Sequence, residues 1–593
     1  MGFVCFSAVL VVCVVWVLFP KSIKVSCSNV VVVRFMEDKA LQMGKSSTAG
    51  SFFLLIGVVG STVILALGTL ILAGLLTPDE LGLYGIVLIP STAIAFFRDL
   101  GVNSAMTQKI ASLRAANKTG EIHDVILSGV IFELLSGTLL ALACFALSRP
   151  LAAILDRPDA APLIALMSLC IFASAIVSAA TAIFVGFEKM KFNSFAQILQ
   201  ALIKTLLGPV LVVLGFSVLG AVLGMIASVV VGGLISIVIV YFALFRPLRK
   251  SKVGKCDVVD NLTSLLRYGV PLTLSNIVVG VLPQVFIFFM AIYASDGMMG
   301  NYFAAAYFSV LVTFISFPIS TALFPAFSKL NPQKEPELVK TVFSSSVKYT
   351  ALFLIPTTML IMALAAPLVN TLFPQDGLLQ YLSLDRILPY LLAVDVVPKF
   401  PYASVFLAVS SIVNLFVLLG HVSLVAFQTG IGETAQIMKQ SLLSLVTSLP
   451  FAYVVITYFG TLGGINGEML VVIGGILAIM VSIIPGLVWG LVWSWKNYGV
   501  KADFKNSGKI FVASLAASLV AYGFSAFFVA SYPVLLIVGA LLFLLVYIII
   551  IPLIGAVNKI DLVNLQLMSS ELGIVSKLLK IPLWFMQKLC RKS

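Results

Sequence analysis

Long apolar stretches follow one another along almost the whole chain, and short polar segments separate them. A helix needs about 20 consecutive apolar residues to cross the hydrocarbon core of a bilayer. The stretches do not alternate between apolar and polar positions as barrel strands do, so we expect helices, whose backbone groups pair internally. The pattern predicts an all-α integral membrane protein with about fourteen transmembrane helices, at roughly 51–76, 81–97, 125–146, 163–185, 195–214, 218–245, 269–293, 302–324, 347–372, 401–427, 442–458, 465–493, 510–528 and 532–554.

The composition supports a membrane protein. Of 593 residues, 61% are apolar and 10% are charged, whereas a soluble domain carries about 25% charged residues. The net charge of +13 would suggest nucleic acid as a partner of a soluble protein, but cytoplasmic loops of membrane proteins are rich in Lys and Arg, so we expect none. The seven cysteines form no C-x-x-C motif and no cluster with histidine. We therefore expect neither a metal site nor a disulfide framework.

The distribution of Lys and Arg between alternate loops predicts the orientation. One set of loops holds 24 Lys and Arg and the alternate set holds 4. The rich set is 108–124, 187–194, 246–262, 329–340, 428–440, 495–509 and 558–593. The positive-inside rule places this set and the C-terminus in the cytoplasm, which predicts a multi-pass protein of the cell membrane.

The two ends of the chain differ from the middle. Residues 1–35 are apolar without a preceding Lys or Arg, which does not fit a secretory signal. We expect that Met36 is the true start or that 1–35 is an extra anchor. In the tail, 557–593, apolar residues recur at near-helical spacing with Lys and Arg between them. This pattern predicts an amphipathic helix on the cytoplasmic surface of the membrane, with a partner-binding helix as the alternative.

The chain contains an internal repeat. LAGLLTPDELGLY at 72–84 aligns with MAIYASDGMMGNY at 290–302, and LGAVLG at 219–224 aligns with LGGING at 462–467. Both pairs fall at equivalent helix junctions, so helices 1–6 and 7–12 are predicted to be parallel repeats, as in many transporters. The predicted organisation is an extra segment 1–35, a six-helix lobe 46–247, a basic linker 248–262, a second six-helix lobe 263–494, helices 13–14 at 507–556 and the tail 557–593.

Several short motifs together resemble polysaccharide-export (Wzx-like) flippases of the multidrug/oligosaccharidyl-lipid/polysaccharide (MOP) exporter superfamily. They are LTPDELGLY at 76–84, DLG at 99–101, LFPAFS at 323–328 and YFG at 458–460. The resemblance covers about 46–556. It implies two pseudo-symmetric six-helix lobes that face a central cavity and move a polyprenyl- or dolichyl-linked glycan by alternating access. Where the family often has an acidic residue in helix 7, this chain has Pro283-Gln284, so the resemblance does not imply ion coupling at that position.

Two ionisable residues lie in the middle of predicted spans. Glu133 belongs to helix 3 and Lys204 to helix 5. An ionisable group at mid-membrane costs at least about 2.5–3.5 kcal/mol, so it usually faces a cavity or a partner. In one interpretation, Lys204 attracts a lipid phosphate, and Glu133 tunes the charge of Lys204 or carries a proton. In the other, the two residues form a structural ion pair between neighbouring helices. The sequence leaves both interpretations open.

Four further residues are candidates for the substrate path. Arg98 and Asp99 close helix 2, and neighbours in sequence point in different directions on a helix, so they need separate partners. Arg98 and Arg267, which begins helix 7, either gate the cytoplasmic entrance or extend to the lipid headgroups. His421 in helix 10 either titrates near neutral pH or is a neutral, hydrogen-bonded core residue.

The sequence therefore predicts a flippase, not an enzyme, that moves a lipid-linked oligosaccharide or polysaccharide repeat unit to the outer leaflet. Its predicted partners are the bilayer, the lipid-linked glycan and glycosyltransferases or a polymerase of the same pathway. We expect no cofactor, and coupling to a proton or sodium gradient stays open. The alternatives are a cation-coupled MATE-like drug exporter, a lipid II flippase and, more remotely, a membrane glycosyltransferase. The drug exporters usually carry an acidic residue in helix 1, and residues 51–76 contain no charge.

Overall fold

A computed structural model of the chain describes residues 57–116, 118–246, 258–375, 397–570 and 574–589. All regular elements in these ranges are helices, which confirms the predicted all-α membrane class. The predicted N-terminal segment 1–35, most of the linker 248–262 and most of the loop 373–400 lie outside the described residues. Within the described ranges, ten helices are long and apolar enough to span a membrane, or eleven if one bent pair is counted as a span. The predicted number of fourteen stays a prediction.

The contacts between residues divide the chain into two units, which are described separately. The first unit contains Leu83–Ile292 and the described part of Ile23–Leu76, and we call it the N-terminal unit. The second unit contains Thr77–Gly82 and the described part of Tyr293–Ser593, and we call it the C-terminal unit. The helix 258–292 thus shares its contacts with the N-terminal helices, although the sequence-based boundary assigns it to the second lobe. The lobe boundaries remain predictions.

In its described residues, the N-terminal unit contains eight helices, the second of which begins in the C-terminal unit. They are α1 (Gly57–Leu75), α2 (Pro78–Ala95), α3 (Val102–Ala115), α4 (Thr119–Ile154), α5 (Ala160–Gly186), α6 (Met190–Leu211), α7 (Ser217–Ile239, extended by a π-helical turn Val240–Phe245) and α8 (Val258–Tyr293).

A further helix, which was not predicted from the sequence, follows the predicted transmembrane helix 2. After Ala95 the chain leaves the α-helix, and Leu100 and Gly101 have positive φ angles of 45° and 80°. The chain then forms α3 in a segment that the charge count places partly in a cytoplasmic loop. Buried Val102, Met106 and Ile110 recur at helical spacing in α3, so an apolar stripe on one face holds this more polar helix against the unit.

Helices α6 and α7 form a tight antiparallel hairpin. The joined helical stretch Met190–Phe245 has 56 residues, which is about 84 Å of helix and far more than one crossing of a core about 30 Å thick. The chain reverses at Gly215, where φ is +94°. A Cβ on Gly224 would lie 2.4 Å from the Cα of Gly208, so the two helix backbones touch. The hairpin therefore contains both of the spans predicted at 195–214 and 218–245.

The C-terminal unit continues the helical pattern. Its helices are α9 (Asp296–Tyr307), α10 (Ser309–Ser328), α11 (Pro336–Ala363), α12 (Ala365–Leu372), α13 (Ala403–Ser411), α14 (His421–Gly430), α15 (Thr434–Gly460), α16 (Gly464–Tyr498), α17 (Phe504–Phe527), α18 (Tyr532–Leu553), α19 (Lys559–Ser570) and α20 (Ile574–Leu589).

One span of the C-terminal unit is broken. Helix α13 continues as a 3₁₀ segment, Ile412–Leu419, and ends at Gly420, whose φ is +85°. Helix α14 then leaves at a bend of 56°. Since 3₁₀ runs longer than three or four residues are uncommon and often mark a functional hinge or strain, this segment is a structural irregularity that requires an explanation.

Candidate functional site

A polar cluster lies inside the N-terminal unit, at the break between α2 and α3. We call it the Arg98 cluster, and it consists of Arg98, Asp99, Asn103, Glu133, Ser174 and Ser178. Arg98 follows the end of α2 by three residues and is 7% exposed, and Glu133 of α4 is fully buried. Glu133 lies 14 residues after the start of α4, about 21 Å along the helix at about 1.5 Å per residue. The cluster is therefore far from both ends of α4 and within the membrane-spanning part of the unit.

All three guanidinium nitrogen atoms of Arg98 donate hydrogen bonds. Nε donates to Oε2 of Glu133 at 3.0 Å, Nη1 donates to Oγ of Ser174, and Nη2 donates to Oγ of Ser178 at 2.7 Å. A buried ion pair offsets its desolvation only when further hydrogen bonds satisfy the remaining polar groups. The two serine hydroxyls of α5 supply these hydrogen bonds for Arg98.

The other oxygen of Glu133 is also satisfied. Nδ2 of Asn103 donates to Oε1 of Glu133 at 2.8 Å. The backbone N–H of Asn103 donates to the carboxylate of Asp99 at 2.8 Å, so Asp99 stabilises the first turn of α3. The predicted separate partners of Arg98 and Asp99 are thus Glu133 and the start of α3. The Oδ1 atom of Asn103 is buried and has no hydrogen-bond partner among the described residues.

The helices present these side chains through i,i+4 spacing. Ser174 and Ser178 are four residues apart and share one face of α5. On α4, Gly137 lies one turn beyond Glu133, and a Cβ at that glycine would approach Cδ of Arg98 to 3.8 Å and Cβ of Ala175 to 2.8 Å. A larger residue at position 137 would push α4 away from α5, so the glycine allows the two helices to close around the arginine.

Lys204 lies in a different part of the N-terminal unit. It lines a cavity of about 10 Å³ together with Gly68, Thr69, Tyr84 and Gly208, which is room for about one water molecule. No carboxylate of the described chain forms a salt bridge with Lys204. The ion pair between Glu133 and Lys204 that the sequence left open is therefore not formed, because Glu133 pairs with Arg98. The cavity itself is too small to hold a phosphate group.

The remaining candidates do not join the cluster. Arg267 is exposed on α8. His421 is the first residue of α14, directly after the left-handed Gly420, and is partly buried. The six predicted substrate-path residues thus fall into one cluster (Arg98, Glu133 and Asp99), one cavity (Lys204) and two separate positions. Their roles remain predictions.

Sequence reasoning missed three polar members of the cluster. Asn103, Ser174 and Ser178 carry no charge and occur in segments where single polar residues are common. The signal that could have found the serines is their i,i+4 spacing within a span that is otherwise almost wholly apolar. Asn103 offers no such signal, because its position depends on the break before α3.

A sequence model of a family described as polysaccharide biosynthesis protein matches residues 71–376, more than half of the chain. The chain belongs to this family. The match begins in α1 and includes all residues of the Arg98 cluster as well as Lys204. A search of curated protein sequences finds no significant match.

Solved structures of transporters share the fold of this family member. The lipid II flippase MurJ in an inward closed conformation is 15% identical, with a TM-score of 0.60 over 84% of this chain and 98% of that chain. An inward-facing multidrug resistance MATE family transporter of the MOP superfamily is 19% identical, with a TM-score of 0.57 over 73% of this chain and 94% of that chain. These likenesses confirm the predicted MOP-type fold. Family and fold together support a membrane flippase or transporter.

Proposed function

We propose that this protein is a flippase that moves a lipid-linked oligosaccharide or polysaccharide repeat unit from the cytoplasmic to the outer leaflet. Such a substrate combines an uncharged glycan with a phosphate or diphosphate and an apolar tail. The protein need not break a bond, but it must provide a polar path and a positive group for the phosphate. In this proposal it acts in the cell membrane with its C-terminus in the cytoplasm.

The observation that carries the proposal is the charge balance within the membrane-spanning part of the N-terminal unit. Glu133 is the carboxylate of the described helices that lies farthest from a helix end, and Arg98 neutralises it. Lys204 has no carboxylate partner among the described residues. Asp99 lies in the break before α3, where its carboxylate accepts a hydrogen bond from the backbone N–H of Asn103. Inside α6, Lys204 therefore keeps a positive charge without a counterion among the described residues, which suits an anionic phosphate and opposes a cationic drug.

The same balance ranks the alternatives. A cation-exchanging drug exporter requires an accessible carboxylate, and the buried one is fully hydrogen bonded to Arg98 and Asn103. A lipid II flippase handles a related lipid-linked sugar and differs in the glycan rather than in the chemistry of the phosphate. Glycosyltransferases or a polymerase of the same pathway would supply and consume the lipid-linked glycan, and they are the partners that we propose.

The test is transport in proteoliposomes of the full chain with a fluorescent polyprenyl-diphosphate glycan. The measured quantity is the protein-dependent fraction of probe that reaches the opposite leaflet. We expect Lys204→Ala to reduce the initial rate at least tenfold. The matched control is Lys439→Ala, at an exposed lysine of α15, which should transport at the unsubstituted rate.

The outcomes separate the alternatives. Absence of protein-dependent movement of any polyprenyl-diphosphate glycan refutes the flippase proposal. Equal rates for the two lysine variants refute the role of Lys204 but leave the proposed function intact. Size-exclusion profiles of both variants, measured before reconstitution, show whether a lower rate reflects loss of the folded protein.

A further inference from the structure

A second polar cavity lies inside the C-terminal unit, remote in sequence from the Arg98 cluster. It has a volume of about 280 Å³ and lies among α9, α10, α11, the α13 span and α16. Its polar lining consists of Tyr302, Ser309, Ser410, Ser411 and Asn414. This volume lies just below the roughly 300–1,000 Å³ of pockets that hold drug-sized ligands, so the cavity suits one small ring and is too small for an oligosaccharide.

The side-chain amide of Asn414 lines this cavity from the irregular part of the broken span. Asn414 lies in the 3₁₀ segment Ile412–Leu419, between α13 and the bend at Gly420. Irregular backbone inside a membrane protein is tolerated where it is buried in protein or lines a cavity, and discontinuous helices commonly build substrate sites of transporters. The cavity lies beside such an irregular segment.

Two of the polar groups are available to a ligand. Among the described residues, neither the hydroxyl of Tyr302 nor the amide of Asn414 has a hydrogen-bond partner. Ser410, by contrast, donates to the carbonyl of Leu407 in its own helix at 3.2 Å. A polar group that faces a cavity without a partner loses free energy relative to one that is hydrogen bonded, so a hydroxylated ligand would satisfy both groups.

The chemistry of the lining selects the kind of ligand. None of the described residues that line the cavity is charged, which disfavours a phosphate or a metal cation, since charges away from water need a counter-charge. Hydroxyl and amide groups can both donate and accept hydrogen bonds, and a sugar ring presents both kinds of group. The rings of Tyr302 and Phe308 offer apolar faces for the C–H groups of the same ring.

We propose that this cavity binds one uncharged sugar ring of the lipid-linked glycan, with Tyr302 and Asn414 as the residues that recognise its hydroxyl groups. The inference rests on the proposed flippase function and adds to it a sugar subsite in the C-terminal unit. The subsite gives the protein selectivity for the glycan that is separate from its attraction of the phosphate.

The test compares two soluble probes on the purified full chain. One is farnesyl diphosphate that carries a single N-acetylhexosamine, and the other is farnesyl diphosphate without sugar. The unsubstituted protein should bind the sugar-bearing probe more tightly. We expect Asn414→Leu and Tyr302→Phe to weaken binding of the sugar-bearing probe about tenfold, because a site built to hydrogen bond a substrate hydroxyl loses that contact, and to leave the sugar-free probe unchanged.

The matched control is Asn497→Leu. The amide of Asn497 donates to the carbonyl of Trp493 on an exposed part of α16, outside the cavity, so both probes should bind as they do to the unsubstituted protein. Tyr302→Phe keeps the aromatic ring and removes one hydroxyl, which protects the test against misfolding of the Asn414 variant.

Three results overturn the inference. They are equal affinity of the unsubstituted protein for the two probes, the same loss for both probes in the cavity variants, and no loss for either probe. Each result is distinct from failure of the proposed function, which is measured by transport in proteoliposomes. A protein that flips the glycan but shows any of these results is a flippase without a sugar subsite in this cavity.

Discussion

Arg98 and Glu133 act as one unit because they pair with each other, whereas the nearby carboxylate of Asp99 accepts a hydrogen bond from the backbone N–H of Asn103. Their side chains are 8% and 1% exposed, and the contacting atoms are 3.0 Å apart. Replacing both charges of a buried pair with apolar groups is often tolerated, whereas removing one charge leaves the other uncompensated at a cost of about 3–5 kcal/mol. The cluster can therefore be tested by substitution of one or both residues.

We expect Arg98→Leu and Glu133→Leu each to lower the free energy of unfolding by about 3–5 kcal/mol, because each leaves a buried charge without its partner. In the double variant, the free energy of unfolding should fall by less than half of the sum of the two single losses. Thermal unfolding in detergent measures these changes. Arg267→Leu is the matched control, at an exposed position of α8. Additive losses in the double variant would contradict the coupling of Arg98 to Glu133.

The sequence revealed the charged members of the cluster but not their pairing. Glu133 stood out because a carboxylate in an apolar span is costly. Its partner could not be predicted, since Arg98 reaches α4 only through the break at 96–101. The φ of Leu100 is 45°, a conformation that leucine rarely adopts, and no local sequence pattern signals it. The hydrophobic pattern thus locates charges along the chain but does not determine which charges meet.

At the scale of elements, the glycines that align in the internal repeat make a reciprocal contact within the C-terminal unit. A Cβ on Gly82 would lie 1.8 Å from the carbonyl oxygen of Asp296, and a Cβ on Gly300 would lie 1.9 Å from that of Pro78. Gly82 aligns with Gly300, and Pro78 aligns with Asp296, in the two repeated segments. Each repeat therefore places its glycine against the same carbonyl of the other, so the first turns of α2 and α9 approach closely.

We expect Gly82→Leu to disrupt this contact, because the nearest neighbours are backbone atoms, which cannot rotate away as a side chain can. Overpacking of this kind typically costs about 1–3 kcal/mol, and the thermal midpoint in detergent should fall accordingly. The control is Gly523→Leu in α17, where no atom lies within 4 Å of an added Cβ. Equal midpoints for the two variants would show that the close approach of α2 and α9 is not required for stability.

The tail helix α19 is attached to α11 by a second ion pair with little exposure to solvent. Nζ of Lys348 donates to Oδ2 of Asp561 at 2.6 Å, and the two side chains are 13% and 10% exposed. The hydroxyl of Tyr349 donates to the other carboxylate oxygen at 3.3 Å. Asp561 also accepts a hydrogen bond from the backbone N–H of Asn558, so one carboxylate both caps α19 and fixes it to α11.

We expect Asp561→Asn to loosen α19, because it removes the charge that compensates Lys348 while keeping the shape of the side chain. Backbone amides of residues 559–570 should exchange with deuterium at least tenfold faster in the variant. Glu337→Gln provides the comparison, since it breaks the Lys340–Glu337 pair on α11, in which Glu337 is 83% exposed and such pairs contribute about 0–1 kcal/mol. Unchanged exchange in the Asp561 variant would show that apolar contacts alone hold the tail.

Element boundaries followed from hydropathy where a span is a simple apolar run. The predicted 532–554 corresponds to α18 (Tyr532–Leu553), and the predicted turn at 215–217 coincides with the reversal after α6. The break between α13 and α14 was not predicted, because residues 401–427 form one long, mostly apolar run across it. A 3₁₀ segment and an α-helix of the same composition look alike in a hydropathy pattern, and Gly420 alone is a weak signal.

For the whole molecule, the chemistry of the substrate follows from the few charges that the membrane-spanning helices retain. Lys204, inside α6 of the N-terminal unit, carries a positive charge without a carboxylate partner among the described residues, and the described residues that line the C-terminal cavity are uncharged. An anionic phosphate matches the environment of Lys204, and a neutral glycan matches the C-terminal cavity. A cationic drug matches neither, because attraction of a cation requires an accessible negative group.

If Lys204 attracts the phosphate, transport depends on the sign of the charge at position 204. Lys204→Arg keeps a positive charge that can bind phosphate, so transport of a polyprenyl-diphosphate glycan should stay within a few-fold of the unsubstituted rate. Lys204→Glu reverses the charge, and the rate should fall to the level of protein-free liposomes. The unsubstituted protein should not move the cationic dye ethidium. If the unsubstituted protein transports ethidium and Lys204→Glu increases this transport, the drug exporter is favoured instead. A negative group at this position would then promote the transport of a cation.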